Sequence, residues 1–120
     1  MAIYRSYGWE IAGDQVWRSV PTPALANIGY DRDRFGIRAA LDSDHDGCKS
    51  AYQEVAAGLN GMVVRPALAW APRLAAQPGR YHYVVVDRAT DLVAGYVTYR
   101  QQRQTRGGYQ LFVDDLCATH

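Results

Sequence analysis

Tyr81-His-Tyr-Val-Val-Val-Asp87, Leu92-Val-Ala-Gly-Tyr-Val-Thr-Tyr-Arg-Gln101 and Tyr109-Gln-Leu-Phe-Val-Asp-Asp-Leu116 read as three strands in sequence order. β-Branched and aromatic residues fill the first, and Arg88-Ala-Thr-Asp91 supplies polar turn residues after it. In the second, Val93, Gly95, Val97 and Tyr99 share one face, and Leu92, Ala94, Tyr96 and Thr98 the other. Both faces are largely apolar, so this strand is expected in mid-sheet, covered on two sides, with Val97 and Tyr99 buried. Residues 101–108 are polar and close on Gly107-Gly108, which reach the positive φ of a hairpin turn without strain. The third strand then returns antiparallel. Such a meander needs helices to cover it.

Those helices are expected upstream. Phe35 to Ala40 reads as a further strand. Asp42, Ser43 and Asp44 are competent N-caps, and Tyr52, Val55, Ala56 and Leu59 follow at the spacing of one apolar helical face. Asn60-Gly61 stops that helix. Pro66 suits the first turn of a second helix, with Leu68, Ala69 and Leu74 as its apolar positions. Pro72 removes a hydrogen bond, so this helix is expected either to kink at Ala69–Trp70 or to start near Trp70. The fold class is α/β in the α+β sense, a mixed and mostly antiparallel sheet with helices packed on it. Ahead of it, residues 10–20 read as two short strands about Gly13-Asp14, a hairpin that needs a larger sheet to join. Residues 1–34 thus read as the tail of one unit with a connector, and 35–120 as the beginning of another.

A chain of 120 residues with 48% hydrophobic content suffices for one core. Thirteen basic and twelve acidic residues leave a net charge of +1, which points to neither nucleic acid nor an anionic membrane as partner. No apolar run approaches the length of a membrane span, and the opening residues lack the apolar segment of a secretory signal. Cys48 and Cys117 stand apart without metal-ligand spacing and read as reduced thiols of a cytoplasmic protein.

Several motifs invite chemistry. Asp42-Ser-Asp44-His-Asp46-Gly47 opens like a calcium loop, but Gln53 stands where a bidentate glutamate is required, so the run is read as a helix start. Asp114 and Asp115 are strand neighbours pointing to opposite faces, one expected buried and the other solvated. Arg100, Arg103 and Arg106, with interleaved glutamines, could bind phosphate, but are read as solvated residues of a hairpin tip. His45, His82 and His120 are scattered, and no metal ligand is assigned among them.

Beside this reading stands a resemblance. Strand, two helices and three antiparallel strands resemble the N-terminal half of a GNAT acetyltransferase fold. More narrowly, the chain resembles the enhanced intracellular survival family of N-acetyltransferases. Ile3-Tyr-Arg-Ser-Tyr-Gly-Trp9 is similar to the end of that family's first GNAT domain. Tyr52, Gly61, Arg65-Pro66, Trp70, Leu74-Ala75, Gly95-Tyr96, Tyr99-Arg100, Leu116 and Ala118 follow its second, the Arg-Pro-x-x-x-Trp-x-x-x-Leu-Ala run being the most specific. The resemblance implies an acetyl-CoA-dependent N-acetyltransferase of amines, aminoglycoside-like or lysine, acting as a homo-oligomer. It implies that Tyr4 is the general acid protonating the departing CoA thiolate, a task that suits a phenol. Trp70 would line the amine's pocket, its ring face toward a cation.

The run that cradles the acetyl-CoA pyrophosphate, Arg/Gln-x-x-Gly-x-Gly/Ala, is not found in the chain, nor is the family's C-terminal carboxylate base. The chain is therefore expected to be a fragment, inactive alone and without a cofactor-binding residue of its own. The rival expectation is a non-catalytic GNAT-like module that binds a partner along its sheet edge.

Overall fold

The structure, a computed structural model, describes residues 6–8, 19–26, 28–103 and 107–119. Tyr4, Arg106, His120 and most of the hairpin expected over 10–20 lie outside the described residues. The elements are β1 (Phe35–Ala39), α1 (His45–Ala57), α2 (Ala67–Leu74), β2 (Arg80–Asp87), β3 (Leu92–Arg103) and β4 (Tyr109–Ala118). The four strands form one antiparallel sheet in the order β1-β2-β3-β4, with the helices packed on it, as a partial GNAT-like fold requires.

Local chemistry sets the entry to each element. The Asp31 carboxylate accepts the N–H groups of Asp33 and Arg34, each at 3.1 Å, and the Asp31 carbonyl accepts Phe35 N–H, turning the chain into β1. A 3₁₀ turn over Asp42–Asp44 leads into α1. Asp44 reaches backward here, its carboxylate accepting Arg38 at 2.6 and 2.9 Å and Leu41 N–H at 2.7 Å. Its pKa lies below the ordinary carboxylate value, chiefly through the Arg38 hydrogen bond, with burial opposing. The third position of the calcium-like run is thus committed to an arginine.

Both helices depart from expectation in detail. α1 ends at Ala57 with Gly58 as its C-cap, so Leu59 lies beyond the helix and is exposed. Its core face is Cys48, Ala51 and Tyr52, with Val55 and Ala56 partly buried. Gly58 is the weaker helix former that wins there over the apolar spacing. α2 runs unbroken through Pro72, after an extended Pro66 N-cap. The carbonyl deprived of its bond belongs to Leu68, which is 90% exposed, so water can satisfy it.

The hairpin turn falls on Gly107 and Gly108, at φ 80° and 82°. Gly95 is fixed for another reason: a Cβ there would lie 2.7 Å from the Cys117 carbonyl oxygen on β4. Central β3 buries Ala94, Tyr96 and Thr98, and turns Tyr96, with partly buried Val93, onto the helix-covered core. Val97 and Tyr99 are only half-buried, which corrects the expectation of a sheet covered on both sides. The cause is one-sided cover: the helices pack on the face that carries Val84, Tyr96 and Cys117, leaving an apolar groove of ≈ 300 Å³ lined by Phe35, Ile37, Tyr83, Val85, Val97 and Leu116 on the other.

Candidate functional site

Trp70 and Leu74, one helical turn apart, are the buried residues of α2. Trp70 is 2% exposed. Its ring meets Tyr52 edge-on at 5.3 Å and Tyr96 edge-on at 6.4 Å. Arg65 closes the group: its guanidinium lies 3.8 Å from the Tyr52 ring centroid and 4.9 Å from that of Trp70. It donates to both Asp115 oxygens, at 2.7 and 3.2 Å, and to the Tyr96 hydroxyl at 3.3 Å. Tyr96 in turn donates to Asp115 at 3.1 Å. The Tyr52 hydroxyl donates to the Val63 carbonyl at 2.5 Å, holding the segment that carries Arg65.

A β-bulge presents the carboxylate. Thr98 pairs with Asp115 and Tyr99 with Val113, so Asp114 is the extra residue. Asp115 points under the helices and is buried, while Asp114 is exposed and bound by Arg100. The two acids thus divide as alternation predicts. What the sequence did not disclose is the partner of Asp115, fifty residues upstream. Arg65 was visible only as the opening of the Arg-Pro-x-x-x-Trp run.

The electrostatics favour an unreactive interior. Burial opposes the Arg65 charge, but the hydrogen bonds and charge of Asp115 outweigh it and the pKa rises. Burial, aided by Asp115 and opposed by Arg65, raises the Tyr96 phenol, which remains a donor at neutral pH. Burial pushes the Cys48 thiol up to about 12, and Cys117 is raised mainly by the same cause. Neither sulfur is a thiolate nucleophile at neutral pH. Among the described residues no group of three His, Cys, Asp or Glu converges as metal ligands.

His82 is the sensitive member. Its Nε2 lies 3.7 Å from Cys48 Sγ, and its ring stacks on His45 at 6.0 Å. Burial, then the His45 and Arg80 charges, lower its pKa below 6.5, against Asp44 and Asp115. The folded state therefore binds this proton less readily than the unfolded chain. Above pH 6.5 the effect vanishes; as pH falls below it, stability drops until the folded His82 also protonates. Urea melts between pH 5 and 7.5 should show a loss toward acid that His82→Gln reduces. An unchanged slope in that variant would remove His82 as its source.

The structure places Trp70 in this cluster, while Tyr4 lies outside the described residues. The cluster's chemistry is positional: it fastens the α1–α2 connection to β4 by an ion pair sealed between aromatic faces. Residues 61–120 match the family model of the acetyltransferase (GNAT) domain, a span that takes in Arg65, Trp70, Tyr96 and Asp115 with β2, β3 and β4. No curated protein matches the chain. With half its length matched and the helices and sheet in the expected order, the chain belongs to the GNAT acetyltransferase family.

Proposed function

We propose that this chain serves an acetyl-CoA-dependent N-acetyltransferase acting on amines, aminoglycoside-like or lysine, of the enhanced intracellular survival type. The observation that carries the reading is the GNAT match over residues 61–120, which covers the Arg65-Pro66, Trp70 and Leu74-Ala75 run on which the narrower resemblance rests. In this reading residues 1–34 close a first GNAT domain and 35–120 open a second, in a cytoplasmic homo-oligomer. Acetyl-CoA supplies the acetyl group, and Tyr4 protonates the thiolate that leaves when the amine attacks. Trp70 is the proposed aromatic wall of the amine pocket. At 2% exposure it meets a substrate only after Arg65 or α2 moves aside.

Two measurements test the reading. The product of the full reading frame, given acetyl-CoA and a panel of aminoglycosides and lysine peptides, should release free CoA thiol faster than without amine. Silence with every amine would favour the non-catalytic module instead, a reading supported by exposed Ile37 and Leu116 on the outer sheet face. The 120-residue chain alone, lacking the pyrophosphate-cradling run, should give no heat with acetyl-CoA in calorimetry. Clear binding would reveal a cofactor site in these residues and overturn that part of the proposal.

A further inference from the structure

We propose that Arg73, Arg80 and Arg100 form a binding site for a small molecule carrying a phosphate group. Arg80 and Arg100 are direct cross-strand partners on β2 and β3. Like charges so placed repel one another. The last turn of α2 brings a third guanidinium, Arg73, to the same place. Together with Gln77 and Asp114 they line one cleft of ≈ 330 Å³. Three arginines against one aspartate leave a formal charge of +2 (3 − 1).

The existing partners do not cancel that charge. Asp114, the extra residue of the β4 bulge, is used by Arg100: Nε donates to both its oxygens at 3.0 Å and Nη2 to one at 2.9 Å. Arg80 has only a carbonyl, its Nη1 donating to Pro72 at 2.8 Å at the negative end of α2. Its Nε is shut off from solvent with no partner, an arrangement that is unfavourable without a ligand. Arg73 carries no hydrogen bond or ion pair among the described residues. Two guanidiniums, on β2 and on α2, thus face the cleft without a counter-charge.

A phosphate monoester fits this deficit. It bears close to two negative charges near neutral pH, and its oxygens match the planar fork of a guanidinium. The cleft has the volume of a small-molecule site and is too small for a nucleic-acid duplex. It lies at the Arg80–Arg100 end of the sheet, whereas β4 stops at Ala118 beside Gly95, at the other end. Three solvated arginines would explain the charge alone. They explain neither the cross-strand pairing nor the unpartnered Arg80 Nε.

The test is an NMR titration of the arginine Nε–H resonances in the 120-residue chain with inorganic phosphate and phenyl phosphate, against chloride at equal ionic strength. Saturable shifts at Arg73, Arg80 and Arg100 are expected with both phosphates and not with chloride. Arg73→Gln should weaken phenyl phosphate binding about tenfold or more with an unchanged melting curve. Arg73→Lys, which keeps the charge but loses the fork, should weaken it less. Shifts equal to those in chloride would overturn the site, as would binding indifferent to both Arg73 variants. Tight binding of a single-stranded oligonucleotide with no saturable phenyl phosphate binding would overturn it too.

Discussion

Trp70→Ala should destabilise the folded chain by about 3–5 kcal/mol and lower its melting temperature by on the order of 15 °C. The indole is nearly inaccessible and bounded by Tyr52, Tyr96 and the Arg65 guanidinium, so its removal opens a cavity those rings cannot refill. It also uncovers one face of a buried cation whose partner, Asp115, is equally secluded. Thermal melts followed by circular dichroism read the change. A shift of only 1 or 2 °C would mean the ring does not fill the core as described. Trp70→Phe retains a ring and should fold. In that variant the proposed substrate role becomes measurable: the Michaelis constant for the amine should rise while turnover is little altered.

Tyr4→Phe should lower turnover about a hundredfold to ten-thousandfold in the acetyl-transferring protein, with the Michaelis constant for the amine nearly unchanged. A general acid acts on the leaving thiolate as charge develops, so its loss is felt in the transition state and not in amine binding. A phenol, with an ordinary pKa of about 10, carries its proton at neutral pH and can still release it. Steady-state kinetics of the two proteins across pH 6 to 9 read the effect. Equal turnover would remove Tyr4 from the mechanism and leave family membership untouched, since the match begins at residue 61.

Much of the fold was legible because local signals agreed. Paired glycines marked the β3–β4 turn, and Asp114 and Asp115 took opposite environments. Alternation assigned the faces of β3 from Gly95 onward, but the bulge opposite Val85–Val86 turns Val93 onto the helix-covered core. What alternation cannot say is which faces receive helices, and so Val97 and Tyr99 were expected to be more buried than they are. The reach of α1 was overestimated at Leu59 because Gly58 stops the helix first. The central cluster was harder still. Nothing about Arg65 alone distinguishes it from a solvated arginine; only β4, arriving with its bulge, supplies the carboxylate that fixes it. Trp70 and Asp115 were each singled out, but the residue joining them was not.

The strand order has a kinetic corollary. β2 meets β3 across a loop of five positions (Asp87 to Leu92), and β3 meets β4 across six (Arg103 to Tyr109). β1 reaches β2 only across forty-four (Ala39 to Tyr83), with both helices in between. Closing that longer loop loses about 2 kcal/mol more chain entropy than closing either hairpin. The route of assembly with the smallest entropic loss zips the meander first and adds β1 last. The β1–β2 ladder, which joins Ala39 to Tyr83, then forms after the main barrier has been crossed. Its strength sets how long the finished domain survives and has little bearing on how quickly the domain first appears.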